Sequence, residues 1–451
     1  MRQLLLALGS GSWRDEVLRR LLKNVGWLVS GNALSAGLGL VTLALTARAL
    51  GPAGLGVLAL VEAYARLVDR LLRLEPWQAV IKYGAEALEH GRDDRFGQLL
   101  KFAFLLDLGG ALLASLIALG GAFLVGPWFG FDQQTSDLAA VYSLTIMLSL
   151  GATPTAVLRL FDRFALFAAL DAVLAVLRLA AVALAWASGA GLWTFLLIAL
   201  AAQIGRPLTL LALAWRELFR QGRAGCWRQS LTGVTRNFAG LWDFIWWLNL
   251  SVLIRKSTRE LDTLLVGALL DPAAVGIYHV AKRLGDAALK VGTPIQQAVF
   301  PDIARLWTCR QIARLRRTVL HVNLVAASIA ALGLAVVALD VDRVLALTVG
   351  DSFADAGAPL LAQMLAVTLA LGGITLRPAL LSMGQQRPLL VAVVAGSVGF
   401  YGTMLLALPI VGVVGASLGH VAFNGIWLVL CLAVFQHRLR RPPPAPATPA
   451  G

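Results

Sequence analysis

The sequence predicts an all-α integral membrane protein with about twelve transmembrane helices in two pseudo-symmetric six-helix lobes. Three observations carry that expectation. Hydrophobic residues make up 58% of the 451-residue chain and charged residues 14%, with a mean hydropathy of +0.76, which excludes a soluble domain. Apolar windows of roughly 20 residues, long enough to cross a bilayer, recur along the whole chain. The chain also repeats itself: moved back by 220 residues, LLDPAAVGIYHVAKRL (269–284) falls on ALGPAGLGVLALVEAY (49–64), which sets Pro272 on Pro52, Gly276 on Gly56 and, upstream, Trp247 on Trp27.

In order, residues 1–24 form a cytoplasmic amphipathic N-terminus: Leu4–Leu8 is too short an apolar run for a signal peptide, and 13–24 has the pattern of a helix lying on the inner membrane face. Gly9-Ser10-Gly11 lacks the lysine-containing motif of a phosphate loop. Spans are expected near 25–47, 54–75, 102–125, 137–158, 165–187 and 192–214, giving a first lobe over 25–215. A cytoplasmic linker follows over 216–238. The second lobe, 239–435, carries windows at 239–268, 276–299, 318–339, 359–382, 389–408 and 411–435. The 239–268 window is too long for one straight span, and Arg255–Thr263 interrupts it with charges, so a broken or strongly tilted helix is expected there. RPPPAPATPAG closes the chain within a proline-rich tail, 436–451, expected to be disordered.

Basic residues set the expected orientation. With the N-terminus inside, the inner segments (1–24, 76–101, 159–163, 206–238, 301–317, 377–387 and 436–451) hold 27 lysines and arginines, against Arg48 and Arg343 outside. Both termini are then cytoplasmic. The net charge of +14 is explained by loops facing anionic lipid, so nucleic acid is not an expected partner. Outer loops carry Asp132, Asp137, Asp271, Asp340, Asp342, Asp351 and Asp355. Cys226, Cys309 and Cys431 are far apart and have no metal-binding or redox spacing; no metal or cofactor is expected.

Ionisable residues inside spans are costly and point to function. Ten bases fall there: Arg66, Arg70, Arg73, Arg178, Arg255, Lys256, Arg259, Lys282, Arg283 and Lys290. Eight acids share the spans: Glu62, Asp69, Glu75, Asp107, Asp171, Glu260, Asp262 and Asp286. Helical spacing puts Glu62, Arg66, Arg70 and Arg73 on one face of the second span, Arg255 and Arg259 on one face of the seventh, and His279, Arg283 and Lys290 on one face of the eighth. Mutual neutralisation in pairs such as Asp69 with Arg73, Lys256 with Glu260 or Lys282 with Asp286 is the competing reading. Seven of the ten bases are arginines, whose planar fork suits phosphate and stays charged when partly dehydrated. His279 reads as a satisfied helix-face histidine, Arg377 as an inner anchor, and Gly415 with Gly419 as close helix packing.

WLVSGNALSAGLGLVTLALTARALGPAGLGVLAL (27–60) resembles the opening of the O-antigen-type polysaccharide flippases, above all in A-R-x-L-G-P-x-G-x-G from Ala47 to Gly56. LDTLLVGALLDPAAVGIYHVAKRL (261–284) with PIQQAVFPDIARL (294–306) resembles that family's second-half signature, and the likeness covers residues 20–435. The family belongs to the multidrug/oligosaccharidyl-lipid/polysaccharide (MOP) exporter superfamily, with the MATE exporters and lipid II flippases. Two departures stand out: Asp271 replaces a usual glycine, and the charged face of the second span is richer than typical.

The resemblance implies a MOP/MATE-like pair of lobes alternating between inward-open and outward-open states in a bacterial inner membrane. The implied activity is transport, not catalysis: an undecaprenyl-pyrophosphate-linked oligosaccharide moves from the inner to the outer leaflet. Expected partners are that substrate, membrane lipid and polysaccharide polymerase machinery, with the chain itself a monomer. Arg66, Arg70, Arg255, Arg259, Lys282 and Arg283 are the expected substrate-binding residues, and Glu62, Asp107, Asp262 and Asp286 the candidates for ion coupling. Of the bases, Arg66, Arg70, Arg255, Arg259 and Arg283 are expected to stand free for phosphate. A MATE-like cation-coupled drug antiporter and a lipid II type flippase are the alternatives. The first would want an acidic, aromatic cavity, against which the surplus of bases argues. A glycosyltransferase or ligase would need catalytic acids on a sizeable outer loop, and 126–136 and 340–358 are too short.

Overall fold

The computed structural model describes residues 11–440, except 224 and 226–228, and excludes the side chains of 11–34, 164, 165, 168, 248 and 250–259. The described residues are helical or turn, with no strand. They divide into two compact units, one comprising residues up to Leu50 and Val57–Leu265, the other Gly51–Gly56 and the chain from Val266 onward.

The first unit begins with α1 (Gly11–Leu72), which bends at Gly51, where φ is 65°. That left-handed turn is open to glycine, and Pro52 restarts the helix from N1, where its missing N–H costs nothing. The following α2 (Trp77–Glu89) buries Ala79, Val80, Tyr83 and Ala87, so the segment 76–101, expected as an inner loop, contains an amphipathic helix. Next come α3 (Asp93–Leu124), α4 (Gln133–Leu148), α5 (Ala152–Leu160), α6 (Phe164–Ala187) and α7 (Leu192–Arg220). Asp132 caps α4 by accepting from the Thr135 N–H at 2.7 Å. Val80, Phe96, Leu100, Leu158, Leu210 and Leu218 form a core cluster of the unit. The linker region holds α8 (Val234–Asn237), tied to α3 by Gln98, which donates to the Ser230 and Thr232 carbonyls.

α9 (Leu241–Leu269) is continuous over 29 residues. The break expected at Arg255–Thr263 is absent, because charged side chains do not interrupt a backbone whose N–H and C=O groups pair within the helix. At about 1.5 Å per residue, a helix of this length outruns the roughly 30 Å hydrocarbon core.

The second unit continues with α10 (Pro272–Lys290), capped by Asp271, whose carboxylate accepts from the Ala274 N–H at 2.7 Å. α11 (Gly292–Thr308) follows at once, so the 276–299 window is divided between two helices. Beyond them lie α12 (Ile312–Leu339), α13 (Val341–Thr348), α14 (Gly357–Gly372), α15 (Leu376–Ser382), α16 (Gln386–Val411) and α17 (Val414–Arg440). The step between α14 and α15 is held by Asn323, whose side-chain oxygen accepts from the Thr375 N–H at 3.0 Å and hydroxyl at 2.7 Å. α16 lies along α17, and Ile303, Val319, Leu376, Leu380 and Phe435 form a core cluster at one end. Gly415 and Gly419 pack against Ala407–Leu408 and Phe400, the close approach expected of that pair.

Pro52–Gly56 belongs to this second unit and meets Pro272–Gly276 reciprocally. A Cβ on Gly56 would overlap the Pro272 carbonyl oxygen, and one on Gly276 the Pro52 carbonyl oxygen. The two sequence twins therefore cross each other at equivalent glycines.

Nine helical segments among the described residues are long and apolar enough to span a membrane, so the expected twelve is not reached by length and composition. Two causes are visible. The first two windows run into one bent helix, and α9 and α10 carry charges through their middles. The last helix runs to Arg440, five residues past the expected end; the rest of the tail, 441–451, lies outside the described residues, as do the side chains of the N-terminal amphipathic segment.

Candidate functional site

The four-residue spacing on α1 brings Glu62, Arg66 and Arg70 to one face, and α9 lays Glu260 across it. Arg66 Nε donates to Glu260 Oε2 at 2.9 Å and its Nη1 to Glu62 Oε2 at 2.8 Å. Arg70 Nη1 donates to the second Glu260 oxygen at 2.5 Å. Arg178, from α6, approaches Glu62 Oε1 at 3.7 Å. Among the described residues this joins three guanidinium groups to two carboxylates. The carboxylates sit deeper: the Glu62 and Glu260 side chains are 11% and 10% exposed, those of Arg66 and Arg70 27% and 29%. The cations are thus partly exposed above the acids that neutralise them. Arg66 and Arg70 are not free of acids, which corrects the expectation that they stand unpaired; Glu260 binds both through tertiary contact, while its expected pairing with Lys256 falls on a side chain outside the described residues.

One turn further along α1 the chemistry reverses, with a cation enclosed by acids. Arg73 contacts Asp69 Oδ1 at 3.2 Å, the expected pair, and its Nε lies 3.6 Å from Asp107 Oδ1. Its Nη1 donates to the Ser149 carbonyl at 3.0 Å, filling the break between α4 and α5. Asp107, on α3, is fully buried, and among the described residues its carboxylate oxygens make no hydrogen bond of good geometry, with the Ala152 backbone as their nearest donor. A dry carboxylate with a single cation at long range can accept a proton or bind a cation at low structural cost. Asp262, on α9, is fully buried and accepts from the Thr263 N–H at 2.6 Å and hydroxyl at 3.1 Å.

In the second unit, α10 carries the remaining candidates. Lys282 Nζ stands 5.7 Å from the Tyr278 ring centre, and Arg283 is exposed and donates from Nε to His279 Nε2 at 3.4 Å. Asp286 is half-buried. The fully buried Tyr278 shares a 2.9 Å hydrogen bond with His420 Nε2 on α17, whose ring also packs 4.9 Å from Phe400. Arg255 and Arg259 lie on α9, but their side chains are outside the described residues. Sequence reasoning missed Glu260 as the acid shared by two arginines, and it missed His420. For the former, the only signal was an acid on a span facing a surplus of bases; for the latter, a histidine inside an apolar run. Among the described residues no group of three or more His, Cys, Asp or Glu side chains stands close enough to hold a metal ion.

A bent first helix, paired units and ion clusters inside spanning helices define a multi-pass membrane protein with the fold of MOP-superfamily transporters. Solved structures support the fold: a lipid II flippase MurJ in an inward closed conformation aligns with TM-score 0.65 at 12% identity, over 91% of this chain and 87% of that one. The Vibrio cholerae MATE transporter VcmN aligns with TM-score 0.60 at 15% identity, over 95% and 98%. Residues 21–307 match the polysaccharide biosynthesis protein family, and the chain belongs to it. The inner membrane protein YghQ of Escherichia coli (strain K12) is 31% identical over 299 residues, which is 65% of this chain and 82% of that protein.

Proposed function

We propose that this protein is an inner-membrane flippase that moves an undecaprenyl-pyrophosphate-linked oligosaccharide from the inner to the outer leaflet by alternating access. The observation that carries this reading is the pair Arg66 and Arg70, partly exposed inside a spanning region and held by Glu62 and Glu260. Unpaired, these cations would be expensive inside a membrane; the carboxylates hold them at low cost until a stronger anion arrives. A pyrophosphate presents more oxygens at higher charge than a carboxylate, in the geometry the guanidinium fork matches. On binding it would compete with Glu62 and Glu260 for the Arg66 and Arg70 guanidinium groups; Arg255, Arg259, Lys282 and Arg283 are proposed as further substrate-binding residues. The prenyl chain stays in lipid and the sugar in water. A MATE-like exchanger of organic cations would need acids facing its cargo, whereas Glu62 and Glu260 already face arginines.

The driving force follows from charge. Carrying about two negative charges from a negative interior outward gains roughly 4–5 kcal/mol per 100 mV. Asp107, Glu62, Asp262 and Asp286 are the groups through which protons would couple instead, and Asp107 is the best placed because its carboxylate is fully buried with Arg73 as a cation at 3.6 Å. We further propose that both termini are cytoplasmic, that the unit is a monomer and that it serves polysaccharide polymerase machinery.

The test is deletion of the gene followed by complementation. Lipid-linked oligosaccharide should accumulate on the cytoplasmic face in the deletion strain. Arg66→Ala, Arg255→Ala, Arg259→Ala and Arg283→Ala should each fail to restore export while reaching wild-type levels in the membrane. Full complementation by all four would remove the cationic site.

A further inference from the structure

A second cationic site lies wholly inside the first unit, away from Glu62 and Glu260. The end of α1, α5 and α7 enclose a cavity of about 360 Å³ whose charged lining is Arg73, Arg159, Arg206 and one acid, Glu75. Asp69, Asp107 and Asp171, which engage Arg73 and Arg206, do not line it. Arg159 is the telling residue. Its guanidinium stacks 4.6 Å over the Trp77 ring and 5.9 Å from Phe167, yet it forms no ion pair among the described residues. The charge nearest it in effect is repulsive, from Arg206. Arg206 in turn spends Nε on Asp171 at 2.7 Å and leaves the rest of its fork exposed. Two guanidinium groups facing one space, one without any carboxylate, make an unfavourable arrangement that an anion between them would relieve.

The level of the cavity in the membrane says where that anion comes from. On the orientation expected from the basic residues, 159–163 and 206–238 lie on the inner side, which sets the cavity at the level of the inner leaflet. Trp77 and Gln203 line the same space; an indole and an amide are side chains suited to the headgroup zone.

We propose that this cavity binds a lipid-anchored phosphate from the inner leaflet, its oxygens shared between the Arg159 and Arg206 guanidinium groups. The shared chemistry is a phosphate on a membrane anchor, either an anionic phospholipid headgroup or a polyprenyl pyrophosphate.

The full-length protein is reconstituted in nanodiscs of phosphatidylcholine with a minor fraction of phosphatidylglycerol, and the retained lipid is measured by native mass spectrometry. Undecaprenyl pyrophosphate is titrated in a second arm. Arg159→Gln and Arg206→Gln should each lower retention of whichever probe binds by about tenfold, the loss expected for one charged hydrogen-bonding partner. Ala202→Phe, which fills the cavity and keeps the arginines, should do the same, while Arg223→Gln, a residue paired with Asp93 outside the cavity, should not. Dependence of phosphatidylglycerol retention on Arg159 identifies a phospholipid site, and dependence of undecaprenyl pyrophosphate binding identifies a substrate docking site. If both probes bind equally well to wild type, Arg159→Gln and Ala202→Phe, the proposal is overturned.

Discussion

At the scale of single residues, the decisive side chain is Glu260, because it holds Arg66 with one oxygen and Arg70 with the other. Glu260→Gln removes the charge and keeps the shape. It should lower stability, since two cations lose their shared acid, and raise affinity for a pyrophosphate lipid by removing the competitor. Thermal unfolding and binding measured on the same detergent-purified sample check both signs. Arg73→Ala should cost about 3 kcal/mol or more, because it strands the buried Asp107 carboxylate beside Asp69; Arg73→Ala with Asp107→Asn should recover much of that loss. Asp69 with Arg73 was legible in the sequence because helical spacing alone makes them neighbours. The partner choice of Glu260 was not, because it depends on which face of α9 turns toward α1, and no local pattern encodes that.

At the scale of elements, capping and crossing decide. The Thr135 hydroxyl and N–H hold the Asp132 carboxylate below its usual range. Its folded pKa is therefore depressed, so its contribution to stability is present above the ordinary carboxylate value and disappears as pH falls through the lowered one. Asp132→Ala should cost about 1 kcal/mol at neutral pH, a typical N-cap loss, and the difference from wild type should vanish in acid; unfolding followed against pH measures this. The reciprocal contact of Gly56 with Pro272 and Gly276 with Pro52 leaves no room for a side chain. Gly56→Leu or Gly276→Leu should lower the unfolding temperature through overpacking of about 1–3 kcal/mol. The sequence repeat pointed to these glycines, since both halves keep Pro and Gly at the same offset. It gave no sign that the two copies touch, because repetition fixes equivalence and not contact. Apolar windows found the membrane-crossing segments but overestimated breaks at charges and overlooked α2, whose amphipathic pattern sits among basic residues that read as a loop.

At the scale of the whole molecule, the family and the fold agree with ion clusters buried in spanning helices. Composition made the class legible because a chain with this much apolar surface has few other stable environments. The proposed substrate chemistry was legible only as a surplus of arginines, since recognition of a sugar would be spread over cavity shape. If export is driven by charge, flipping should accelerate with an inside-negative potential; an unchanged rate with the potential clamped at zero would point to protons and to Asp107.

The most direct measurement of the central claim is leaflet transfer of a fluorescent undecaprenyl-pyrophosphate-linked oligosaccharide in proteoliposomes, read by accessibility to an impermeant quencher. The account predicts transfer well above protein-free vesicles for the wild type, and background transfer for the folded double variant Arg66→Gln with Arg70→Gln. Wild-type transfer no faster than that of empty vesicles, or a double variant as fast as the wild type, would contradict it.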